Sequence, residues 1–164
     1  MNNESGGGRS AASRSEFVAL ARERLTALDK TSGRDLTLVD ADFSPWPLDD
    51  PAVVDALTRW IQLPARRLRL VALRFDLVER HQPRFAAWRK PFAHALECLA
   101  PTEVDPTDMP SLLLLDAECL ELLDRERWQA RWSSGRRTCV LQRERVDALV
   151  QRCEPAWPVT VLGL

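Results

Sequence analysis

The sequence predicts a single α/β domain, a three-layer sandwich with a mixed, largely parallel sheet. Apolar strand-like segments alternate with helical segments of about 10 to 15 residues, an order typical of βαβ units. One segment, residues 68–75, is almost continuously apolar, as expected for a central strand covered on both faces. A hairpin predicted later in the chain makes the sheet mixed.

The length, charge and hydrophobicity of the chain exclude several classes of protein and partner. The chain has 164 residues, 45% hydrophobic and 29% charged, with a net charge of −1. A chain of this length buries a full core. A net charge so close to zero produces no long-range field, and we expect no nucleic-acid and no membrane partner. The sequence contains no run of 18 apolar residues and no secretory signal, which predicts a cytoplasmic protein.

The four cysteines, Cys98, Cys119, Cys139 and Cys153, are widely spaced and lie in or beside apolar segments. We expect buried, reduced thiols rather than disulfides. The two histidines have no partners at ligand spacing, so we expect no metal site and no cofactor.

Apolar periodicity and capping residues predict the individual elements. Residues 1–14 have little to bury and predict a disordered tail, which leaves residues 15–164 as the domain. Ser15, and Asp50 followed by Pro51, are suited to begin the first two helices. In chain order the predicted elements are a helix over 16–30, a strand over 35–39, a helix over 51–63, a strand over 68–75, a helix over 76–90 interrupted at Pro83, strands over 95–99 and 112–115, a hairpin return over 119–123, an edge strand over 128–132, a helix over 142–152 and a short strand over 159–162.

Charged residues at strand ends form the candidate site. In open α/β sheets, ligands bind beyond the carboxyl ends of the strands. We expect five residues to meet there as a ligand-binding group, with Arg74 as the anion contact: Asp40, Asp42, Arg74, Asp76 and Asp116. Acidic residues in such positions are also common turn formers and helix caps, which is the simpler interpretation.

Residues 109–116 (MPSLLLLD) contain four apolar residues that end in an aspartate. This segment resembles the phospholipase D signature His-x-Lys-x-x-x-x-Asp. Met109 stands in the histidine position, Ser111 in the lysine position, and only Asp116 is retained. Over about residues 16–155, the chain also resembles an uncharacterised bacterial family with this fold that is sometimes fused to an acetyltransferase domain.

The resemblance implies a phospholipase D-like topology with a degenerate site. In active members of the superfamily the histidine attacks phosphorus and the lysine binds the phosphoryl oxygens. Met109 cannot attack and Ser111 carries no charge, so the resemblance implies no catalytic residue and a binding or scaffolding role. Its expected partners are a second copy of the chain, because half of a two-motif fold often pairs with itself, and an acetyltransferase.

Two other interpretations remain open. Residues 36–42 carry an acidic pair like that of receiver-like or flavodoxin-like domains, which bind Mg²⁺ through carboxylates, although no lysine follows Lys90 to complete that site. Alternatively, the chain is an unrecognised hydrolase that uses His81 with a strand-end carboxylate. A surface or capping role is the simpler explanation of His81.

The aromatic residues suggest an interaction surface. The chain has six tryptophans and no tyrosine. On an extended strand, Trp128 and Trp132 share one face, and tryptophan beside arginine is favoured at protein interfaces. The competing interpretation is that both rings cover the inner face of the sheet.

Overall fold

A computed structural model describes residues 8–159, and all eight of their strands join one sheet. The strands are β1 Arg9–Ala11, β2 Asp35–Val39, β3 Arg67–Val71, β4 Leu96–Pro101, β5 Leu112–Leu114, β6 Glu118–Asp124, β7 Gln129–Ser134 and β8 Cys153–Pro155. The helices are α1 Arg14–Thr26, α2 Pro51–Ile61, α3 Asp76–His81, α4 Pro83–Trp88 and α5 Val140–Val150, with 3₁₀ turns at Ala93–Ala95 and Pro106–Asp108. The predicted mixed α/β class is confirmed.

The prediction of a largely parallel sheet is wrong. The strand order is β1-β7-β6-β5-β2-β3-β4-β8, and only the β2–β3 and β3–β4 pairs are parallel. Those two pairs are joined through helices, which return the chain to the edge where it started. The β4–β5, β5–β6 and β6–β7 connections contain no α-helix, so each following strand runs antiparallel.

Helices cover the two faces of the sheet unequally. On one face, α1, α2 and α4 bury a large cluster that includes Phe17, Trp60 and Phe85. On the other face, α5 packs Val146 and Leu149 against a smaller cluster with Val39 and other strand residues. The alternation of side chains along each strand supplies both clusters, as in β2, where Leu36 and Leu38 point to the first.

The N-terminal segment is more ordered than predicted. Residues 9–11, expected in a disordered tail, form β1, which pairs with β7 and buries Ala11. Helix α1 then begins at Arg14 rather than at residue 16, because the Ser13 hydroxyl accepts the Glu16 N–H at 3.2 Å. Residues 1–7 of the predicted tail lie outside the described residues.

The C-terminal end also differs from the prediction. Strand β8 pairs antiparallel with β4 and was not predicted, because its short sequence Cys-Glu-Pro has no apolar pattern. Most of the strand predicted over 159–162 lies outside the described residues. Among residues 8–159, no helix is long and apolar enough to cross a membrane.

All four cysteines are free thiols; Cys119 and Cys139 are buried, while Cys98 and Cys153 are half-buried. The Cys139 thiol lies 3.0 Å from the Cys119 sulfur. Burial, followed by this contact, raises the pKa of Cys119 to about 12. Such a thiol stays protonated and unreactive near neutral pH.

Candidate functional site

Two edges of the sheet are defined by the parallel strands β2, β3 and β4. The carboxyl edge, where they end, contains residues 40–50, 72–76, 101–111 and 124–128. The amino edge, where they begin, contains residues 27–35, 62–67, 89–95, 115–118 and 134–139. Because β5 is antiparallel to β2, it starts at the carboxyl edge and ends at the amino edge.

Asp40 is the centre of the carboxyl edge. It follows β2 directly, is 0% exposed, and its N–H donates to the Val71 carbonyl, which extends the ladder by one bond. One carboxylate oxygen accepts the N–H groups of Asp42 at 3.1 Å and Phe43 at 2.8 Å. These bonds close a tight turn in which Phe43 adopts a positive φ of 59°.

The other carboxylate oxygen of Asp40 binds two side chains from distant parts of the chain. The Ser111 hydroxyl, just before β5, donates to it at 2.6 Å, and the guanidinium of Arg125, in the β6–β7 turn, also donates to it. Four donors therefore converge on one buried carboxylate, which compensates for its loss of water. We call Asp40, Ser111 and Arg125 the polar lock, since together they tie β2, β5 and the β6–β7 turn.

A cavity of about 490 Å³ lies beside the polar lock, lined by Met109, Ser111 and Arg125 among others. Its second arginine, Arg145, is paired with Glu121 at 3.0 Å, so neither arginine at this cavity is free of a carboxylate. Two further acids of the β6–β7 region, Asp124 and Glu126, also line it. This charge balance does not favour an anionic ligand.

Met109 and Ser111, the residues compared above with the histidine and lysine of the phospholipase D signature, are both buried. Met109 is 7% exposed and packs in the smaller core cluster. Ser111 is 5% exposed, and its hydroxyl donates a hydrogen bond to the Asp40 carboxylate. The same Asp40 carboxyl group accepts hydrogen bonds from three other donors, one of them the Arg125 guanidinium, so Ser111 is one member of a closed hydrogen-bonded network.

The other predicted residues of this edge are engaged locally. Asp42 accepts the Ser44 N–H at 2.9 Å, as a turn former does. Arg74 and Asp76 lie 3.6 Å apart on the surface, and Asp76 also binds Arg80 of the same helix. The hydrogen bond from Arg80 lowers the pKa of Asp76. None of these three is hydrogen-bonded to the polar lock through its side chain.

The expectation that Asp116 joins this group is wrong. It follows β5, which runs antiparallel, and so lies at the amino edge, where its Cβ faces Gly33. Its carboxylate is half exposed and binds Arg136 at 2.7 Å. The motif segment instead delivers its other end, Ser111, to Asp40.

The alternative interpretations receive no support from the geometry. A receiver-like or flavodoxin-like domain has a parallel, doubly wound sheet, which the antiparallel strands exclude. His81 is exposed at the end of α3, and no carboxylate within residues 8–159 hydrogen-bonds to it. In the same part of the chain, no three His, Cys, Asp or Glu side chains are placed to hold a metal ion.

The two tryptophans proposed for an interaction surface pack inward. Trp128 lies in the β6–β7 turn, half-buried, with its ring 5.9 Å from that of Phe17 in α1. Trp132 lies on β7 beneath the Arg24 guanidinium and donates its indole N–H to Glu118 at 3.1 Å. Both therefore cover the face of the sheet against α1. Trp46, between Pro45 and Pro47 in the loop after β2, is also buried.

Sequence reasoning missed Arg125. It lies in the polar turn Asp124–Arg127, written Asp-Arg-Glu-Arg, where nothing in the sequence distinguishes one arginine from the other. Only the tertiary fold brings it to Asp40, 85 positions earlier.

No family model and no curated protein matches the sequence. Solved structures with a similar fold include TrmBL2, an archaeal chromatin protein described as showing a novel mode of DNA binding (TM-score 0.65, 15% identity, 95% of this chain). Another is Nuc, a phospholipase D family member from Salmonella typhimurium (TM-score 0.62, 6% identity, 93% of this chain and 99% of Nuc). A third is phosphatidylserine synthase from Haemophilus influenzae Rd KW20 (TM-score 0.57, 12% identity, 92% of this chain).

These similarities show a phospholipase D-like fold. The chain spans 56% of TrmBL2 and 39% of the synthase. Our expectation that nucleic acid is not a partner does not stand, because a protein with this fold is a chromatin protein that binds DNA. The error came from treating the net charge of the whole chain as if it described every surface.

Proposed function

We propose that this chain is a non-catalytic phospholipase D-like domain that acts as a binding or scaffolding module. One observation supports this above the others. Ser111 stands in the motif position that holds a phosphate-binding lysine in active enzymes. It is buried, and its hydroxyl donates a hydrogen bond to Asp40.

The polar lock favours a structural role for this edge over a chemical one. A nucleophile needs access to substrate and a base that can take its proton. Ser111 is 95% covered, and its partner Asp40 is fully buried and accepts four hydrogen bonds. The same contacts join three separate segments of chain, which is what a rigid scaffold requires.

Nucleic acid is the ligand class that we add to this role. The similar chromatin protein binds DNA. A phospholipase D-like fold without its nucleophile retains a rigid sheet whose edges can bind phosphates without cleaving them.

The catalytic half of the proposal is tested with purified chain and bis(p-nitrophenyl) phosphate, with an active phospholipase D family nuclease as the positive control. We expect no turnover above buffer for wild type, Ser111→Ala or Asp40→Asn. Turnover by the wild type that Ser111→Ala abolishes would overturn the proposal.

The binding half is measured by thermal melting of the same preparation with duplex DNA, inorganic phosphate or an acidic peptide. A ligand that binds the folded state alone raises Tm with its concentration. We expect duplex DNA to raise Tm without being cleaved; cleavage of that DNA would contradict a non-catalytic module.

A further inference from the structure

The near-zero net charge conceals opposite charges at the two edges of the sheet. At the carboxyl edge, residues 40–50 contain four aspartates and no basic residue, and residues 101–111 contain three acids and no basic residue. At the amino edge, residues 62–67, 89–95 and 135–139 contain only basic charges, and the four acids of residues 27–35 and 115–118 are outnumbered by the eight lysines and arginines of the whole edge. Surface potential depends on such local groupings rather than on the total charge.

The arginines of the two edges also differ in their pairing. At the carboxyl edge Arg74, Arg125 and Arg127 each have a carboxylate partner. At the amino edge Arg34 and Arg67 are exposed, and neither forms a salt bridge within residues 8–159. Their guanidinium groups remain available for a ligand.

These unpaired cations are neighbours in space. The Arg67 N–H donates to the Arg34 carbonyl at 2.8 Å, and the Arg66 guanidinium donates to the Lys30 carbonyl at 3.0 Å. Two acids lie in the same segment: Asp29, whose exposed carboxylate accepts hydrogen bonds from Thr31 and Ser32, and Asp35, opposite Arg67 in the sheet. Neither forms a salt bridge with Arg34 or Arg67. We call Lys30, Arg34, Arg66 and Arg67 the basic edge cluster.

The basic edge cluster borders a concave surface. Two adjoining cavities of about 290 and 660 Å³ share Arg67 and His94 in their walls. The first also contains Arg69, Arg143 and three acids, Asp35, Glu97 and Asp147, and its Arg69 is paired with Glu97 at 2.9 Å. The second is lined by Arg66 and Arg67 and by no acid among the described residues. Because arginine forks match phosphate oxygens in geometry and charge, the second cavity is the one suited to phosphates.

We infer that the amino edge binds nucleic acid through its phosphate backbone, at the basic edge cluster. This rests on the proposed binding role and names its ligand and surface. The concave surface fits a phosphodiester strand better than it fits the flat surface of a bilayer. Contacts made to phosphates alone give affinity without sequence preference.

The test is fluorescence anisotropy with a labelled duplex of about 25 base pairs and arbitrary sequence, in 50 mM salt. Non-specific binding has a Kd of roughly 10⁻⁶–10⁻⁴ M at physiological salt and is tighter at lower salt, so we expect wild type to bind with a Kd of about 10⁻⁶ M or below. The double variant Arg34→Glu/Arg67→Glu should bind at least tenfold more weakly. The control Arg74→Glu/Arg127→Glu makes the same change of charge at the carboxyl edge and should stay within about twofold of wild type.

Salt dependence supplies a second readout. Each phosphate contact contributes about −0.9 to the slope of log K against log[salt]. Because the double glutamate variant removes about two such contacts, its slope should be less negative than that of wild type by roughly twice this contribution. The milder Arg34→Gln/Arg67→Gln variant should lose affinity in the same direction, and circular dichroism melting verifies that each variant folds.

Three results would overturn the inference: no binding in 50 mM salt, equal losses in the amino-edge and carboxyl-edge variants, or binding to anionic phosphatidylserine vesicles but not to DNA. None of these results would show phosphodiester turnover, so each leaves the proposal that the domain is non-catalytic unaffected. Phosphodiester turnover, in contrast, would contradict that proposal whether or not the amino edge binds DNA.

Discussion

The carboxyl edge and the amino edge use the same side chain, arginine, in opposite ways. At the carboxyl edge, Arg125 neutralises the buried carboxylate of Asp40, and the donors around that carboxylate are committed to the fold. At the amino edge, Arg34 and Arg67 are exposed and have no carboxylate partner among the described residues, and Arg67 also lines two adjoining cavities. The same residue type therefore serves the fold where it is paired with a buried carboxylate, and is free to contact a ligand where it is exposed and unpaired among the described residues.

The largest expected difference is between the two aspartates Asp40 and Asp116. Asp40→Ala should lower the free energy of unfolding by about 3 kcal/mol, because it leaves the N–H groups of Asp42 and Phe43 and the Ser111 hydroxyl without their acceptor. Asp116→Ala removes a half-exposed pair with Arg136 and should cost less than about 1 kcal/mol.

Urea denaturation of the two variants beside wild type measures both values. Similar losses of unfolding free energy for Asp40→Ala and Asp116→Ala would mean that the polar lock stabilises the fold no more than a surface ion pair does. The predicted difference between the two edges would then be wrong.

The next comparison isolates one hydroxyl–carboxylate hydrogen bond at each edge. Ser111→Ala removes a buried bond of 2.6 Å to Asp40 and should cost roughly 1.5–3 kcal/mol. Thr31→Ala removes a bond of the same length to Asp29, but both groups are exposed, so the cost should stay within about 0.5 kcal/mol. Chemical denaturation of both variants measures the two free energies of unfolding. A larger loss for Thr31→Ala would contradict the prediction that the buried hydrogen bond stabilises the fold more than the exposed one.

The pKa values of two exposed aspartates provide a gentler comparison. At the carboxyl edge, the hydrogen bond from Arg80 is the main cause that lowers the pKa of Asp76. At the amino edge, the hydrogen bonds from Thr31 lower the pKa of Asp29, and the charge of Lys30 adds little. Arg80→Gln should therefore raise the pKa of Asp76, whereas Lys30→Gln should leave that of Asp29 nearly unchanged.

NMR titration of the side-chain carboxyl carbons measures these two shifts. A carboxyl group whose pKa is lowered by folding stabilises the protein above its unfolded value, 3.8 for both groups, and this stability is lost as the pH falls through the folded value. A marked rise of the Asp29 pKa in Lys30→Gln would show that cations at the amino edge are paired after all.

The smallest expected effect is on stability at the amino edge itself. Arg67→Gln should change the free energy of unfolding by no more than about 0.5 kcal/mol, because its guanidinium makes no side-chain hydrogen bond or salt bridge within residues 8–159. Thermal melts at low and high salt detect the change. A loss of several kcal/mol would indicate that Arg67 is a structural residue rather than one available to a ligand.

Local signals in the sequence predicted much of the fold. Strand β2 and the capped start of α2 at Asp50 were predicted, as was the break at Pro83 that separates α3 from α4. Each follows from a side chain acting on its own backbone or from apolar periodicity. The direction of β5 could not be predicted in this way. Nothing in the sequence of the loop before β5 indicates from which edge of the sheet the strand starts.

The candidate site was predicted only in part, for the same physical reason. Asp40 was expected at the carboxyl edge and lies there, but its partners Ser111 and Arg125 come from 71 and 85 positions away. Asp116 was assigned to the wrong edge as soon as β5 was assumed to be parallel. The separation of charge between the edges is likewise a property of topology, since the basic and acidic loops alternate along the chain.

Titration of the ¹⁵N-labelled chain with unlabelled duplex DNA, followed by ¹⁵N–¹H correlation NMR, shows which edge of the sheet contacts the ligand. We expect the largest amide shifts within residues 30–35, 64–67 and 93–95 at the amino edge, with residues 40–43 and 109–111 nearly unmoved. Shifts centred on the polar lock and its cavity would place the binding surface at the carboxyl edge and would contradict the proposed role of the basic edge cluster.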